Sequence, residues 1–366
     1  MSSIPTPAPA PEPSGHNPFA LERVFIGPDG LRAGWSVLLA YCLFYLFRLV
    51  IGTFFVSAGL VDDDSGFRAT SALLLEMIPF LAMIGAGAIV AVIERRRLLD
   101  YNLTGPLRVR RFASGLVAGF MALSVLIGSL DWGGWLRFGP VTLSGLEILR
   151  FAVLWGCVFL LVACVEEGLF RCYLQFTLTR GLNFWWALAA ETALCVYAAL
   201  HPQNRGGIGV YAVALLGLFP CFAAHRKLAA RSSFWQAVWV TSTFFGLIHT
   251  FNEGETWTGV LATAGIGFIF CVSVRVTGSA WWAIGCHAGW DWTETYFYGT
   301  ADSGLPAHGH WLSTSPAGNP LLSGGGDGPE GSVLVFGVIF LLLAWLLAVY
   351  LKRTPSKSQS YPVADR

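Results

Sequence analysis

Long runs of apolar residues are the feature that most constrains the fold of this chain. A helix needs about 20 apolar residues to cross the hydrocarbon core of a bilayer, and ten segments come near that length. Charged residues make up only 12% of the sequence, against about 25% in soluble domains. The sequence therefore predicts an all-α polytopic integral membrane protein, a bundle of about ten transmembrane helices. The predicted spans are residues 35–60, 70–93, 112–130, 147–170, 184–200, 207–224, 234–250, 257–274, 279–298 and 333–351.

The charges in the connections between these segments alternate along the chain. Arginine and lysine crowd residues 95–111, 225–231 and 352–357, whereas aspartate and glutamate occupy residues 62–64 and 253–255. Cytoplasmic connections of membrane proteins carry an excess of lysine and arginine. The alternation therefore fits ten spans with both termini in the cytoplasm, and we expect the plasma membrane as the location.

Polar segments flank the predicted transmembrane domain, residues 31–351. Residues 1–30 are rich in proline and lack the basic-then-apolar start of a signal peptide, so we expect a disordered cytoplasmic tail. Residues 352–366 are expected to form a basic cytoplasmic tail. The net charge of +1 gives no reason to expect a nucleic-acid partner. The lipid bilayer is the first partner that the composition implies.

Two features that bind metals in other proteins are interpreted as structural in this one. The eight cysteines lie in or beside apolar segments and form no CxxC pair, so we expect free thiols that pack as small hydrophobic groups. His308 and His310 lie in a long polar connection, residues 299–332, with no cysteine or acid cluster nearby. We interpret this His-x-His pair as incidental.

Two carboxylates and a guanidinium interrupt the fourth apolar segment, at residues 165–171. Ionisable groups at membrane depth cost several kcal/mol unless they are paired or hydrated, so by default they mark a functional site. On a helix Glu167 and Arg171 are four residues apart and can pair, while Glu166 points about 100° away from Glu167. One acid is then neutralised and the other is free for chemistry. The alternative is a helix that has just left the bilayer and places its charges in water.

Polar side chains also interrupt two later apolar segments. His249 follows Phe245 by one helical turn, and His287 is four residues before Asp291 on the same helix face. A lone histidine in an apolar helix is usually a packing residue, but two on separate spans favour a shared site. Small residues beside the motifs permit close helix approach. We expect Glu166, His249 and His287 to meet in a pocket inside the bundle.

A glutamate and two histidines suit hydrolysis. A buried carboxylate can take a proton from water. Neutral imidazoles can ligate Zn²⁺, or else orient the water and donate to a developing oxyanion. The sequence has no GxSxG elbow and no HExxH pair, which weakens the serine-hydrolase and zincin interpretations.

The three motifs, in this order, resemble those of the CAAX-protease and bacteriocin-processing family of intramembrane proteases. They are EExxxR at residues 166–171, FxxxH at 245–249 with Asn252 nearby, and HxxxD at 287–291 after a TGSAWWAIGC approach. The likeness covers residues 147–298, under half of the chain. It implies an intramembrane endopeptidase that cleaves a membrane-associated, prenylated or peptide substrate.

The resemblance also implies a role for each motif residue. Glu166 would activate the water, with Glu167 and Arg171 setting its charge and position. His249 would join Glu166 in holding the water or a metal, and the resemblance leaves zinc on Glu166, His249 and His287 open. His287 and Asp291 would steady the oxyanion.

Two features depart from the family pattern. Glu166 and His249 are 83 residues apart, so residues 186–233 look like an inserted helix pair. The insert contains Tyr197 and His201, which imitate the second motif, but His249 is preferred because its 38-residue spacing to His287 matches the family. The charge pattern also places Glu166 near the cytoplasmic side, whereas His249 is about 22 Å along its helix from the preceding basic connection. A tilted helix, or one that starts below the membrane surface, would bring the two residues to a similar depth.

Two other functions remain open at this stage. Ionisable residues at the membrane midplane also serve transporters, so Glu166, His249 and His287 could form a proton relay or a binding site in a transporter or scaffold. No inverted repeat supports that interpretation. A relative that has lost proteolysis and acts as a membrane chaperone is the third alternative. The identity of the substrate does not follow from the sequence.

Overall fold

The computed structural model describes residues 22–27, 30–61, 68–203, 206–228, 231–252, 254–301 and 307–351. Most of the predicted N-terminal tail, all of the predicted C-terminal tail and the acidic residues 62–64 and Glu253 lie outside the described residues. The described chain is dominated by helices, and its only strands are two short antiparallel pairs. They are β1 (Ile26–Gly27) with β2 (Gly30–Leu31), and β3 (Leu136–Phe138) with β4 (Thr314–Pro316).

Ten described helices of at least twelve residues coincide with the ten apolar segments. They are α1 (Ala33–Ser57), α2 (Ala69–Ile93), α3 (Arg108–Trp132), α4 (Leu146–Glu167), α5 (Phe184–Leu200), α6 (Gly207–Leu228), α7 (Ser232–His249), α8 (Trp257–Thr277), α9 (Trp281–Trp292) and α10 (Val335–Tyr350). The prediction of a polytopic helical membrane protein is confirmed.

The count of ten membrane spans is not supported. Six described helices are long and apolar enough to cross a bilayer, namely α1, α2, α3, α4 with its continuation, α6 and α8, while α5 and α10 are shorter apolar helices. The other two, α7 and α9, are shielded from lipid by their neighbours, and α7 buries polar residues such as Gln236 and Thr241. A helix inside a bundle need not be long or apolar, so a count of spans above six remains a prediction.

The fourth helix continues well past its predicted end. After Glu167 the chain forms a π-helix, Gly168–Leu174, and then another α-helical segment, Gln175–Thr179. Together these segments form a continuous helical run of 34 residues, Leu146–Thr179. A second π-helix, Thr293–Tyr298, follows α9. Short π-helical turns occur frequently at functional sites; here the first begins within the EExxxR motif and the second begins two residues after Asp291.

A reciprocal set of glycines brings α3 and α9 into backbone contact. Gly115 and Gly119 lie four apart on α3, and Gly285 and Gly289 lie four apart on α9. A Cβ atom added to any of these four would come within 2.1–2.3 Å of a backbone carbonyl oxygen on the other helix, that of Cys286 in the case of Gly119. Small residues at such spacing let helices approach closely in membranes. The seam holds α9, which carries His287, at a fixed distance from α3.

The long connection before α10 folds back against the bundle. Strand β4 pairs with β3, and the side chain of Asp327 accepts hydrogen bonds from the backbone N–H and the hydroxyl of Thr256 at 3.2 and 2.6 Å. His310 donates from Nδ1 to the carbonyl of Ala307 at 2.8 Å. All eight cysteines are free, as the sequence predicts.

The glycine seam can be tested with two matched substitutions on α3. Gly119→Ala places a methyl group 2.1 Å from a backbone oxygen of α9, whereas a Cβ on Gly128 meets nothing within 4 Å. We expect Gly119→Ala to cost about 1–3 kcal/mol or more through overpacking, and Gly128→Ala to be neutral or slightly stabilising because alanine favours helix. Thermal unfolding in detergent measures both. Equal melting temperatures for the two variants would contradict the close backbone contact between α3 and α9.

Candidate active site

Three helices bring the predicted polar residues together at one point inside the bundle. Glu166 lies at the end of α4, His249 is the last residue of α7, and His287 lies midway along α9. Glu166 Oε2 is 4.0 Å from His249 Nε2 and 3.8 Å from His287 Nε2. The structure therefore places side chains from all three motifs around a single carboxylate oxygen.

The gaps around Glu166 have the size of a water-mediated contact. A direct hydrogen bond from nitrogen to oxygen spans about 2.7–3.2 Å, which is shorter than both separations. Glu166 Oε2 is buried and has no hydrogen-bond partner among the described residues, while the side chain as a whole is 26% exposed. One water that bridges the carboxylate and both imidazoles would satisfy that oxygen. The arrangement can thus hold a water molecule beside a carboxylate.

His249 is held in a defined orientation by its own helix. Its Nδ1 donates to the backbone carbonyl of Phe245 at 2.8 Å, and the two rings are in edge contact with centroids 4.8 Å apart. With Nδ1 carrying the hydrogen, Nε2 of a neutral ring is left as an acceptor on the side of Glu166. The aromatic residue one turn earlier therefore fixes the face that His249 presents to the site.

Glu167 and Arg171 form a fully buried ion pair. Arg171 Nη1 lies 3.1 Å from Glu167 Oε1, and neither side chain is exposed. His287 Nδ1 donates to the same carboxylate oxygen at 2.9 Å. The transition to a π-helix at Gly168 leaves this pairing intact. Glu167 thus joins the first motif to the third, while Glu166 faces His249 and His287.

Asp291 contacts the other nitrogen of His287. Its Oδ2 lies 3.4 Å from His287 Nε2, on the same helix. Both ring nitrogens of His287 therefore face carboxylate oxygens, and the ring of Phe270 stacks on it at 5.7 Å between centroids. The position of His287 is determined from three sides, which suits a residue that must point toward a reacting group.

An aromatic cage around Arg171 was not predicted from the sequence. The guanidinium carbon lies 4.0 Å from the ring centre of Phe245, 5.2 Å from that of Phe270 and 5.8 Å from that of Phe170. Gly267 leaves room for the guanidinium, because a Cβ there would lie 2.9 Å from Nη2. Cations over aromatic faces gain about 2 kcal/mol or more where water is excluded. Phe245 therefore positions both His249 and Arg171.

Two further acids inside apolar helices were also missed. Glu76 of α2 is partly buried, and Glu191 of α5 is only 2% exposed. Each is a lone carboxylate in a predicted span. The rule that singled out Glu166 would have found both, had it been applied to every apolar segment.

The competing histidine of the predicted insert is not brought to the site. His201 lies at the end of α5, where its Nδ1 donates to the carbonyl of Tyr197 at 2.9 Å and its ring contacts that of Tyr197. Among the described residues, the histidines within ion-pair distance of Glu166 are His249 and His287. The geometry agrees with the preference for His249.

The predicted mismatch in depth between Glu166 and His249 narrows because the fourth helical run is longer than expected. Glu166 is followed by fourteen residues up to Arg180, which lies just past the run and binds Glu94 at 3.1 Å. His249 lies eighteen residues after Arg231. Glu166 and His249 are therefore about 21 Å and about 27 Å from basic residues along their helices.

The predicted zinc ligands are not arranged as a metal site. Within the described ranges, no group of three or more His, Cys, Asp or Glu side chains has a geometry that could hold a metal ion. His287 would have to give up one of its carboxylate contacts to offer a lone pair, because both of its nitrogens already face oxygens. The residues do not fit zinc in this arrangement.

Taken together, the fold and the site define a polytopic helical membrane protein with a glutamate–histidine centre inside the bundle. A family model described as type II CAAX prenyl endopeptidase Rce1-like matches residues 148–228 and 223–293. This match confirms the family resemblance predicted from the three motifs, over the part of the chain that carries them. The searches of curated proteins and of solved structures gave no significant match.

The buried ion pair predicts a pattern in a double-mutant cycle. Glu167→Gln or Arg171→Gln alone leaves one buried charge without its partner, so each should cost about 3–5 kcal/mol. The double variant should cost less than the sum because both charges are removed together. Melting temperature and chemical unfolding in detergent measure the cycle. Strictly additive losses would show that the two side chains do not stabilise each other.

Proposed function

We propose that this protein is an intramembrane endopeptidase of the CAAX type. It would hydrolyse a peptide bond in a membrane-associated, prenylated or peptide substrate. The observation that carries the proposal is the convergence of Glu166 Oε2 with the Nε2 atoms of His249 and His287, inside a helix bundle. The family match over the same residues supports peptide-bond hydrolysis.

The mechanism begins with a water molecule between Glu166 and His249. Glu166 takes a proton from the water while the water oxygen attacks the carbonyl carbon of the scissile bond. His249 accepts the second O–H at Nε2 and so orients the water, because its Nδ1–H is committed to the carbonyl of Phe245. Glu166 then passes the proton to the leaving nitrogen as the C–N bond breaks.

His287 and Asp291 act on the oxyanion that forms during the attack. With Nδ1 donating to Glu167, a doubly protonated ring has its Nε2–H available to donate to the developing negative charge. The carboxylates of Glu167 and Asp291 balance the charge of that ring. Glu167 and Arg171 contribute by holding His287 in place, rather than by touching the substrate.

The placement in the membrane is part of the same proposal. We propose that the shorter helices α5, α7, α9 and α10 complete the bundle, with α5 and α6 as an inserted pair, and that both termini face the cytoplasm of the plasma membrane. Basic residues support one common end: Arg111 at the start of α3 donates to Ser279, and Arg275 at the end of α8 lies over the ring of Phe234 at the start of α7.

Glu166→Gln tests the catalytic base directly. Glutamine keeps the size and hydrogen bonding of the side chain but cannot take the proton, so turnover should fall by about 10²–10⁴. The variant should insert and melt like wild type, since Glu166 is outside the buried ion pair. Cleavage of a quenched fluorescent peptide by purified protein measures the loss. Full activity in the variant would show that Glu166 is not the base, whereas no cleavage by the wild-type protein would favour a transporter or scaffold.

The choice between the two histidines provides a separate test. His249→Ala removes the acceptor beside Glu166 and should abolish cleavage, whereas His201→Ala removes a ring at the end of α5 and should leave cleavage near the wild-type rate. Both variants are compared in the same peptide assay, with expression level and melting temperature as controls. The reverse result would mean that the second motif has been assigned to the wrong helix.

A further inference from the structure

One asparagine in the connection between α2 and α3 contacts the segments that carry the first and the third motif. Asn102 donates from Nδ2 to the backbone carbonyl of Arg171 at 2.8 Å. Its own backbone carbonyl accepts a hydrogen bond from the N–H of Ala280, also at 2.8 Å. Arg171 belongs to the π-helix after α4, and Ala280 directly precedes α9. Asn102 thus bridges two motifs without belonging to either.

The carbonyl of Arg171 needs a donor from outside its own helix. In the π-helix the N–H of Gln175 bonds to the carbonyl of Phe170, five residues earlier. From Gln175 onward the run is α-helical, with bonds that span four residues. A change from five-residue to four-residue bonds passes over one carbonyl, and the carbonyl after that of Phe170 is that of Arg171. A buried carbonyl without a donor is costly, so the amide of Asn102 stabilises the point at which the π-helix ends.

The loop holds Asn102 in the conformation that this contact requires. Its φ of +56° lies in the left-handed region, which asparagine adopts more readily than most residues. The next residue, Leu103, accepts a hydrogen bond from the indole N–H of Trp281 at 3.0 Å. On the other side, the ring of Tyr101 packs against that of Tyr173 with centroids 5.4 Å apart. Three consecutive loop residues are therefore fixed to the π-helix or to the start of α9.

The register of the π-helix matters because residues on both sides of it make fixed contacts. A π-turn is equivalent to one extra residue in an α-helix, so its loss would rotate the two sides of the run by about 100° relative to each other. Glu167 lies on one side and accepts a hydrogen bond from Nδ1 of His287. Gln175 lies on the other side, where its Nε2 donates to the carbonyl of Cys271 on α8 at 3.0 Å. Without the π-helix, one of these two contacts has to be given up.

We propose that Asn102 is a positioning residue, which holds the register of the π-helix and so keeps Glu167 against His287 during the reaction. This inference rests on the proposed function. Asn102 acts on both partners of that contact: through Arg171, which pairs with Glu167, and through Ala280, which is two helical turns before His287. A residue that aligns catalytic groups without contacting the substrate affects kcat more than KM.

Two substitutions separate the side-chain amide of Asn102 from its backbone conformation. Glycine and aspartate both tolerate the left-handed region, but neither glycine nor an ionised aspartate can donate to the carbonyl of Arg171. For Asn102→Gly and Asn102→Asp we expect kcat to fall about tenfold, or about 1.4 kcal/mol in the barrier, with KM within about twofold of wild type. Cleavage of the quenched fluorescent peptide by full-length protein in detergent, at a temperature at which every variant is folded, measures both constants.

Hydrogen exchange tests the same contact without turnover. The amides of residues 172–175, at the end of the π-helix, should exchange about tenfold faster in Asn102→Gly than in wild type, because this segment loses one supporting hydrogen bond. Asn183→Gly is the matched control, since the side chain of Asn183 also binds the backbone, accepting from the N–H of Trp186 at 3.0 Å at the start of α5. The control should leave kcat and the exchange of residues 172–175 unchanged.

A wild-type kcat in both Asn102→Gly and Asn102→Asp would overturn the inference, because the backbone conformation alone would then suffice. Unchanged exchange of residues 172–175 would overturn it as well, and so would a loss of activity that appears in KM alone or equally in Asn183→Gly. No cleavage by the wild-type protein would instead contradict the proposed function alone, since hydrogen exchange still decides whether Asn102 holds the π-helix.

Discussion

The buried pair of Glu167 and Arg171 is the interaction on which the rest of the site depends. Removing two charges from water costs several kcal/mol for each ion, and the attraction between them offsets this only if the remaining donors and acceptors are also satisfied. Here His287 shares the carboxylate and three phenylalanine rings cover the guanidinium. Glu167 Oε2 and two of the three guanidinium nitrogens of Arg171 have no hydrogen-bond partner among the described residues, so the pair depends on the residues from three other segments that surround it.

The aromatic residues that pack around the ion pair also orient the two histidines of the site. Phe245 of α7 covers Arg171 and also accepts, through its backbone, the hydrogen bond that orients His249. Phe270 of α8 covers Arg171 and stacks on His287. A displacement of α7 or α8 would change the surroundings of the ion pair and the direction of an imidazole together. The histidines are therefore aligned by the same contacts that keep the charges buried.

Much of the site could be predicted from the sequence, because polar residues inside apolar segments are rare and their spacing on a helix is regular. Glu166, His249 and His287 were found in this way, and so was the pairing of Glu167 with Arg171. The same rule would have found Glu76 and Glu191 had it been applied to every span. Their roles in catalysis or binding remain predictions until the variants are measured.

Other features could not be predicted, for physical reasons. The cage around Arg171 is made of phenylalanine, and with 27 phenylalanines in the chain no pattern separates a cage residue from a core residue. The number of spans does not follow from the sequence, because hydrophobic length reports contact with lipid and α7 and α9 are largely buried among their neighbours. The depth of Glu166 was misjudged because the helical run continues through a π-helix to Thr179, beyond the last strongly apolar residues.

The glycine seam between α3 and α9 has a consequence for how a substrate reaches the site. Two backbones that touch over two turns cannot slide or part without losing many close contacts at once, since well-packed surfaces separate abruptly rather than gradually. His287 therefore belongs to a rigid half of the bundle. A motion that opens the bundle to a polypeptide from the bilayer therefore has to keep α3 and α9 together and separate other helices.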